Sequence, residues 1–201
     1  MSLIRKLMQK PWESPGYSDA HDGDVIGLPD KKVGLWAFII VMAGFFGLFT
    51  VAYNMRIELA TDWVAMPKPK LLWLNTLILI LASIAFERAK GAAQKKQARR
   101  IKPALMAGGL LTIGFLAGQY VAWQEMLNTG YGLTGNPANS FFYLLTGLHG
   151  LHLVGGLWVW ARTSLRVFRG YEVSLSVELC TTYWHALLLI WIVLYGLLLS
   201  T

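Results

Sequence analysis

Apolar residues run in five long blocks, separated by stretches that are polar, basic or rich in turn formers. The blocks fall at about 33–53, 71–86, 103–126, 140–161 and 175–199. The fourth is the clearest. Residues 141–160 read FFYLLTGLHGLHLVGGLWVW, twenty positions without Asp, Glu, Lys or Arg. As a helix that run is about 30 Å long, enough to cross the hydrocarbon core of a bilayer. The pattern predicts an all-α integral membrane protein, a single five-helix bundle over 33–201. Pro103 is expected to open the third helix, where its missing N–H is harmless. Residues 128–139, with their Gly, Asn and Pro137, are expected to be a loop. The first 32 residues are polar, carry three prolines and hold no apolar core of the signal-peptide kind. They are expected to form an extramembrane tail suited to docking a partner.

Charge adds the orientation. Only 14% of residues are charged and 55% are hydrophobic, against roughly 25% charged in soluble domains. Fifteen of the 18 Lys and Arg would lie on one side of the membrane. They are Arg5, Lys6, Lys10, Lys31 and Lys32 in the tail, Arg88, Lys90, Lys95, Lys96, Arg99, Arg100 and Lys102 after the second block, and Arg162, Arg166 and Arg169 after the fourth. By the positive-inside rule the N-terminus is cytoplasmic and the C-terminus outside. The net charge of +7 thus reads as topology and not as a nucleic-acid footprint. The 88–102 run also suits contact with anionic head groups. Trp36, Tyr53, Trp63, Trp73, Trp123 and Trp160 fall near span ends, where aromatic side chains anchor at the interface. The single cysteine, Cys180, excludes an internal disulfide and a cysteine-rich metal site, and reads as a packing residue.

Few polar groups lie within the spans. His149 and His152 are three apart and share a face of the fourth helix; Glu178 and His185 are seven apart and share a face of the fifth. Gly147, Gly150, Gly155 and Gly156 thin the fourth helix and would let a neighbour approach. Three explanations fit the polar residues. The histidines could ligate haem, as in a b-type cytochrome membrane anchor using His149 or His152 with His185. The acids and histidines could relay protons. Or the groups could hydrogen-bond between helices, to lipid or to a partner subunit, which composition and depth favour. There is no phosphate-binding glycine loop, nucleophile elbow or zinc spacing.

Four blocks resemble subunit III of the haem–copper terminal oxidases, the cytochrome c and quinol oxidases. In the fourth helix the block is FYLLTGLHGLHLVGG over 142–156. In the fifth it is Tyr183-Trp184-His185 followed by Ile190-Trp191, with Glu178 at the position of the family's buried glutamate. In the second it is Leu74-Asn75-Thr76, and in the first Phe38-Ile39-Ile40 with Phe45-Phe46. The chain is similar to the family's short five-helix form from about residue 33 onward. The resemblance implies a multi-pass subunit of the bacterial inner membrane, part of a complex that reduces O₂ to water and pumps protons. It implies no cofactor in this chain, with haem and copper in partner subunits. It also implies direct packing on subunit I, contacts with other oxidase subunits and bound phospholipid. Cytochrome c or a larger respiratory assembly would meet the outer side, at 128–139. On this view His149, His152, Glu178, Tyr183, Trp184, His185 and Asn75 are lipid or subunit contacts, with no catalytic or metal-ligating residue. A subunit-III-like component of a nitric oxide reductase is a further reading of the same blocks.

The chain departs from the family where acids are concerned. Val41-Met42 stands where many members have serine and glutamate, Ala122 stands three after Gln119, and Leu188 stands three after His185. Fewer membrane acids point to a structural role over direct proton conduction.

Overall fold

The computed structural model describes residues 30–59, 70–133, 135–171 and 173–200. Five helices fill them: α1 (Asp30–Leu59), α2 (Leu71–Gln94), α3 (Ala98–Asn128), α4 (Pro137–Phe168) and α5 (Ser174–Ser200). Each is long and apolar enough to cross a membrane. The chain divides after Phe38 into two units, so α1 contributes residues 39–59 to the bundle. The tail expected at 1–32 lies outside the described residues up to 29, and residues 30–32 already belong to α1. Trp63 is likewise outside them.

All five helices run past the apolar blocks that announce them. Hydrophobicity marks the part of a helix that lies in hydrocarbon, whereas backbone hydrogen bonding continues into the head-group region. This corrects the place of Pro103. The helix starts at Ala98, so the proline sits inside α3 and deprives the Arg99 carbonyl of its usual donor. The start of α4 follows local chemistry. Asn136 caps it, its Oδ1 accepting from the Ala138 N–H at 3.1 Å, and Pro137 takes the first helical position. The preceding loop is fastened to the same helix: Asn139 donates to the Gly132 carbonyl, Ser140 to that of Leu133 and Tyr143 to that of Tyr131.

Helices α2, α3, α4 and α5 each contact the next, and α5 closes on α2, which makes a four-helix ring. All four helices of the ring contribute fully buried large side chains, among them Phe86, Phe115, Phe142 and Trp184. On α5 the burial is periodic. Val177, Trp184, Leu187, Trp191 and Leu194 recur at heptad spacing and are all buried. From α1, the buried Met42, Phe46 and Tyr53 share one face; Phe46 packs against the His149 and His152 rings and Tyr53 edge-on against Phe141. The outward surface is apolar: Val41, Leu48, Leu151 and Leu189 are each about two-thirds exposed or more. Polar side chains such as Asn75, Thr112, Gln119, Thr146, His149 and Thr181 are buried instead. This inversion is the expected distribution when the solvent is lipid.

Adjacent glycines on α4 differ in their surroundings. A Cβ at Gly156 would lie 2.7 Å from Tyr183 Cε1 and 2.9 Å from Trp184 Cη2, whereas one at Gly155 would meet nothing within 4 Å. A Gly156→Leu change should therefore cost about 1–3 kcal/mol through overpacking. Gly155→Leu should stay within about 0.5 kcal/mol or gain slightly from helix propensity. Denaturant titration of the purified protein in detergent compares the two, and equal losses would contradict this packing.

Candidate functional site

Tryptophan side chains tie the helices of the ring to one another. Trp184 reaches across the ring from α5, its Nε1–H donating to Thr112 Oγ1 on α3 at 2.8 Å, with its ring 4.5 Å from that of Phe86 on α2. Two helical turns further on, Trp191 donates to Thr76 Oγ1 on α2 at 3.0 Å. On the other side of the ring, Trp123 of α3 donates to Thr146 Oγ1 of α4 at 3.0 Å, and Trp160 of α4 donates to the Leu105 carbonyl of α3 at 2.8 Å. Sequence position suggested that Trp123 and Trp160 anchor at the interface; both indoles instead tie α3 to α4.

A polar layer lies at the level of Trp191. Asn75 is fully buried and donates from Nδ2 to Gln119 Oε1 at 3.4 Å. His149 is also fully buried, enclosed by Phe46, Phe115 and Trp191 at ring-centroid distances of 6.4, 5.9 and 5.1 Å. Among the described residues neither of its ring nitrogens has a hydrogen-bond partner, nor do Asn75 Oδ1 and Gln119 Nε2. Asn75 packs hard on α3, where a Cβ at Gly118 would fall 2.1 Å from its Oδ1. His152, one turn from His149 and half-buried, turns its Nδ1 to the Leu148 carbonyl at 2.8 Å, while its own carbonyl accepts from the Tyr183 hydroxyl at 2.9 Å.

His185 belongs to a different neighbourhood. Its Nδ1 meets Ser83 Oγ, and its Nε2 lies 2.9 Å from Glu87 Oε2. Glu87 also holds Lys90 at 3.3 Å. Ser83 and Glu87 are four apart on α2, so both sides of the imidazole are bound to one face of that helix. Ser83 is buried, while His185 and Glu87 are about half-exposed on the outer surface. Glu178, one turn inside the start of α5, is half-buried.

The sequence-selected residues therefore do not converge on one centre. The α4 histidines face Phe46, whereas His185 faces Ser83 and Glu87 on α2, so the rings of the two helices are not turned to one another. No group of three or more His, Cys, Asp or Glu that could hold a metal occurs among the described residues. Of the four selected glycines, Gly156 takes the closest approach, Gly147 and Gly150 have ordinary contacts with Trp123 and Leu116, and Gly155 has open space. No sequence motif marks Ser83, Glu87 or Thr112, whereas Thr76 belongs to the Leu74-Asn75-Thr76 block. Only the i,i+4 spacing of Ser83 and Glu87 pointed to a shared face, and their partner is about a hundred positions away.

The family described as cytochrome c oxidase subunit III matches residues 28–199. The cytochrome c oxidase subunit 3 of Synechocystis sp. is 31% identical over 192 residues, 90% of this chain and 79% of the relative. That of Thermostichus vulcanus is 31% identical over 178 residues, 85% of this chain and 87% of the relative. A heme-copper oxidase subunit I+III of Aeropyrum pernix is 24% identical over 200 residues, 92% of this chain but 24% of the much longer relative.

The unequal settings of two histidines give a test. His149→Phe replaces an unbonded buried ring by one of similar shape among aromatics, and should leave stability unchanged or raised. His185→Phe breaks both contacts to α2 and should lower it by about 1 kcal/mol. Thermal unfolding of the two variants reads the order, and a larger loss at His149 would contradict this assignment of their settings.

Proposed function

The chain belongs to the cytochrome c oxidase subunit III family, a component of multi-subunit haem–copper oxidases in the bacterial membrane, and on that premise we propose that it is a cofactor-free accessory subunit that stabilises catalytic subunit I and binds phospholipid. The complex reduces O₂ to water and pumps protons, with haem and copper held by its other subunits. The N-terminus is cytoplasmic and the C-terminus outside. The five helices form the transmembrane domain, and the polar residues before α1 form its tail.

One observation carries the accessory role: the polar side chains inside the bundle are bonded to, or packed against, neighbouring helices. Trp184 and Trp191 hold α5 to α3 and α2, and His185 is engaged by Ser83 and Glu87. Asn75, His149, Trp184 and Tyr183 are internal glue. His152, Glu178 and His185, partly exposed, are the contact points for lipid or subunit I. The Aeropyrum relative, whose name joins subunits I and III in one chain, supports direct contact with subunit I. Met42 and Leu188 stand where the family resemblance implies membrane acids, which suits a structural role.

The test is affinity purification of the chain from solubilised membranes, followed by selective removal of this subunit. Haem absorbance should stay with the partner fraction and the free chain should be colourless. O₂ consumption by the stripped complex should decline faster during turnover. A Soret band on the isolated chain would overturn the assignment of the histidines.

A further inference from the structure

The hairpin that joins α2 to α3 lines an open surface cavity of about 450 Å³. Its rim is basic: Arg88 and Lys95 come from the α2 side, Arg99 and Arg100 from the first turn of α3. No Asp or Glu lines it. The one acid in the segment, Glu87, is turned to His185 and Lys90. Among the described residues none of the four rim cations has an ion-pair partner.

The cavity is built into a closed turn. The N–H groups of Lys95, Lys96 and Gln97 bond back to the carbonyls of Gly91, Ala93 and Ala92, and Lys96 takes a left-handed conformation at φ 52°. Its wall is small and apolar, with Gly91, Ala92, Pro103 and Ala104, and a Cβ at Gly91 would meet nothing within 4 Å. Four like charges around one hollow repel unless water or an anion neutralises them. Arginine forks match the oxygens of a phosphate and can share it. The positive end of α3 adds to the same field.

We propose that this cavity is a binding site for a phosphate-bearing anion, and that the phosphate belongs to an anionic phospholipid. The lipid source follows from the level of the site. Arg88 lies two residues beyond the apolar block of α2, and Pro103 begins that of α3. The apolar wall thus continues toward hydrocarbon and the cations face the head-group layer. The proposal gives a place to the phospholipid contact in the reading above. It stands on the cavity lining, so it can fail while the oxidase complex remains assembled.

The experiment uses the whole complex in nanodiscs of phosphatidylcholine with a minor share of phosphatidylglycerol, and measures the lipids retained after detergent exchange. Wild type should retain phosphatidylglycerol in excess of its share. Arg99→Gln/Arg100→Gln should lower that excess by about 25-fold, since each basic side chain at an anionic surface favours binding roughly fivefold. Gly91→Leu keeps every charge, fills the hollow and should lower it as well. Arg166→Gln, in the last turn of α4 and outside the cavity lining, should keep it. Subunit composition confirms assembly of each variant. Retention unchanged in both cavity variants would overturn the site. Labelled inorganic phosphate is offered to the complex in discs of phosphatidylcholine alone. Saturable binding that Arg99→Gln/Arg100→Gln abolishes would identify a soluble phosphate compound as the occupant and overturn the lipid assignment.

Discussion

A buried indole N–H in a membrane has no water to turn to, and an unsatisfied donor there costs several kcal/mol. Four tryptophans meet this constraint by donating across helix boundaries: Trp123 and Trp160 between α3 and α4, Trp184 from α5 to α3, Trp191 from α5 to α2. Each bond fixes depth as well as contact, because sliding one helix by a turn would strand the donor. Glycine makes room for several of these rings. A Cβ at Gly109 would fall 2.1 Å from the Trp160 ring, and one at Gly156 2.9 Å from that of Trp184. Each interhelical bond contributes about 0.6 kcal/mol on average. Together with the close approach at glycine, they set the register that hydrophobicity alone leaves undetermined in lipid.

Seen this way, the histidines fall into place as products of level and face. His149 is at the Trp191 level and points into the ring, so it is enclosed by aromatic side chains. His152 is on the same face by spacing, but its ring nitrogen returns to its own helix and its carbonyl serves Tyr183. His185 is turned to α2 between Ser83 and Glu87. A continuous proton path would need these groups to face one another. The structure distributes them among different helix pairs.

The fold was legible from the sequence because bilayer thickness converts directly into block length, and the block at 142–156 is specific enough to carry the family resemblance. The direction of individual side chains was not legible in the same way. Trp123 and Trp160 sit near span ends, where depth alone suggests an interfacial anchor, yet helix face decides that they point inward. The α3 glycines Gly108, Gly109 and Gly118 meet Phe86, Trp160 and Asn75, but no polar neighbour in the sequence marks them. Pro103 looked like a helix start because the apolar block begins there, although the helix continues through a basic, water-facing turn. The pairing of Glu87 with His185 joins residues 98 apart, beyond the reach of any periodic signal.

In a soluble protein the exposed Leu and Val side chains of α1, α4 and α5 would point to a partner. In lipid they do not, since acyl chains receive them as well as another helix does. The informative surface groups are the polar ones that face outward within an apolar helix. Glu87 and His185 are such a pair: about half-exposed, yet bonded to each other and held by Ser83 and Lys90. Mutual pairing lowers the cost of their exposure without removing it, because polar groups that face outward from an apolar helix remain poorly solvated by acyl chains. The face of α2 and α5 that carries them is therefore better matched to head groups or to the polar side chains of a neighbouring subunit than to acyl chains. This distinguishes it from the lipid-like face of α1, whose buried stripe of Met42, Phe46 and Tyr53 is already turned to its own bundle.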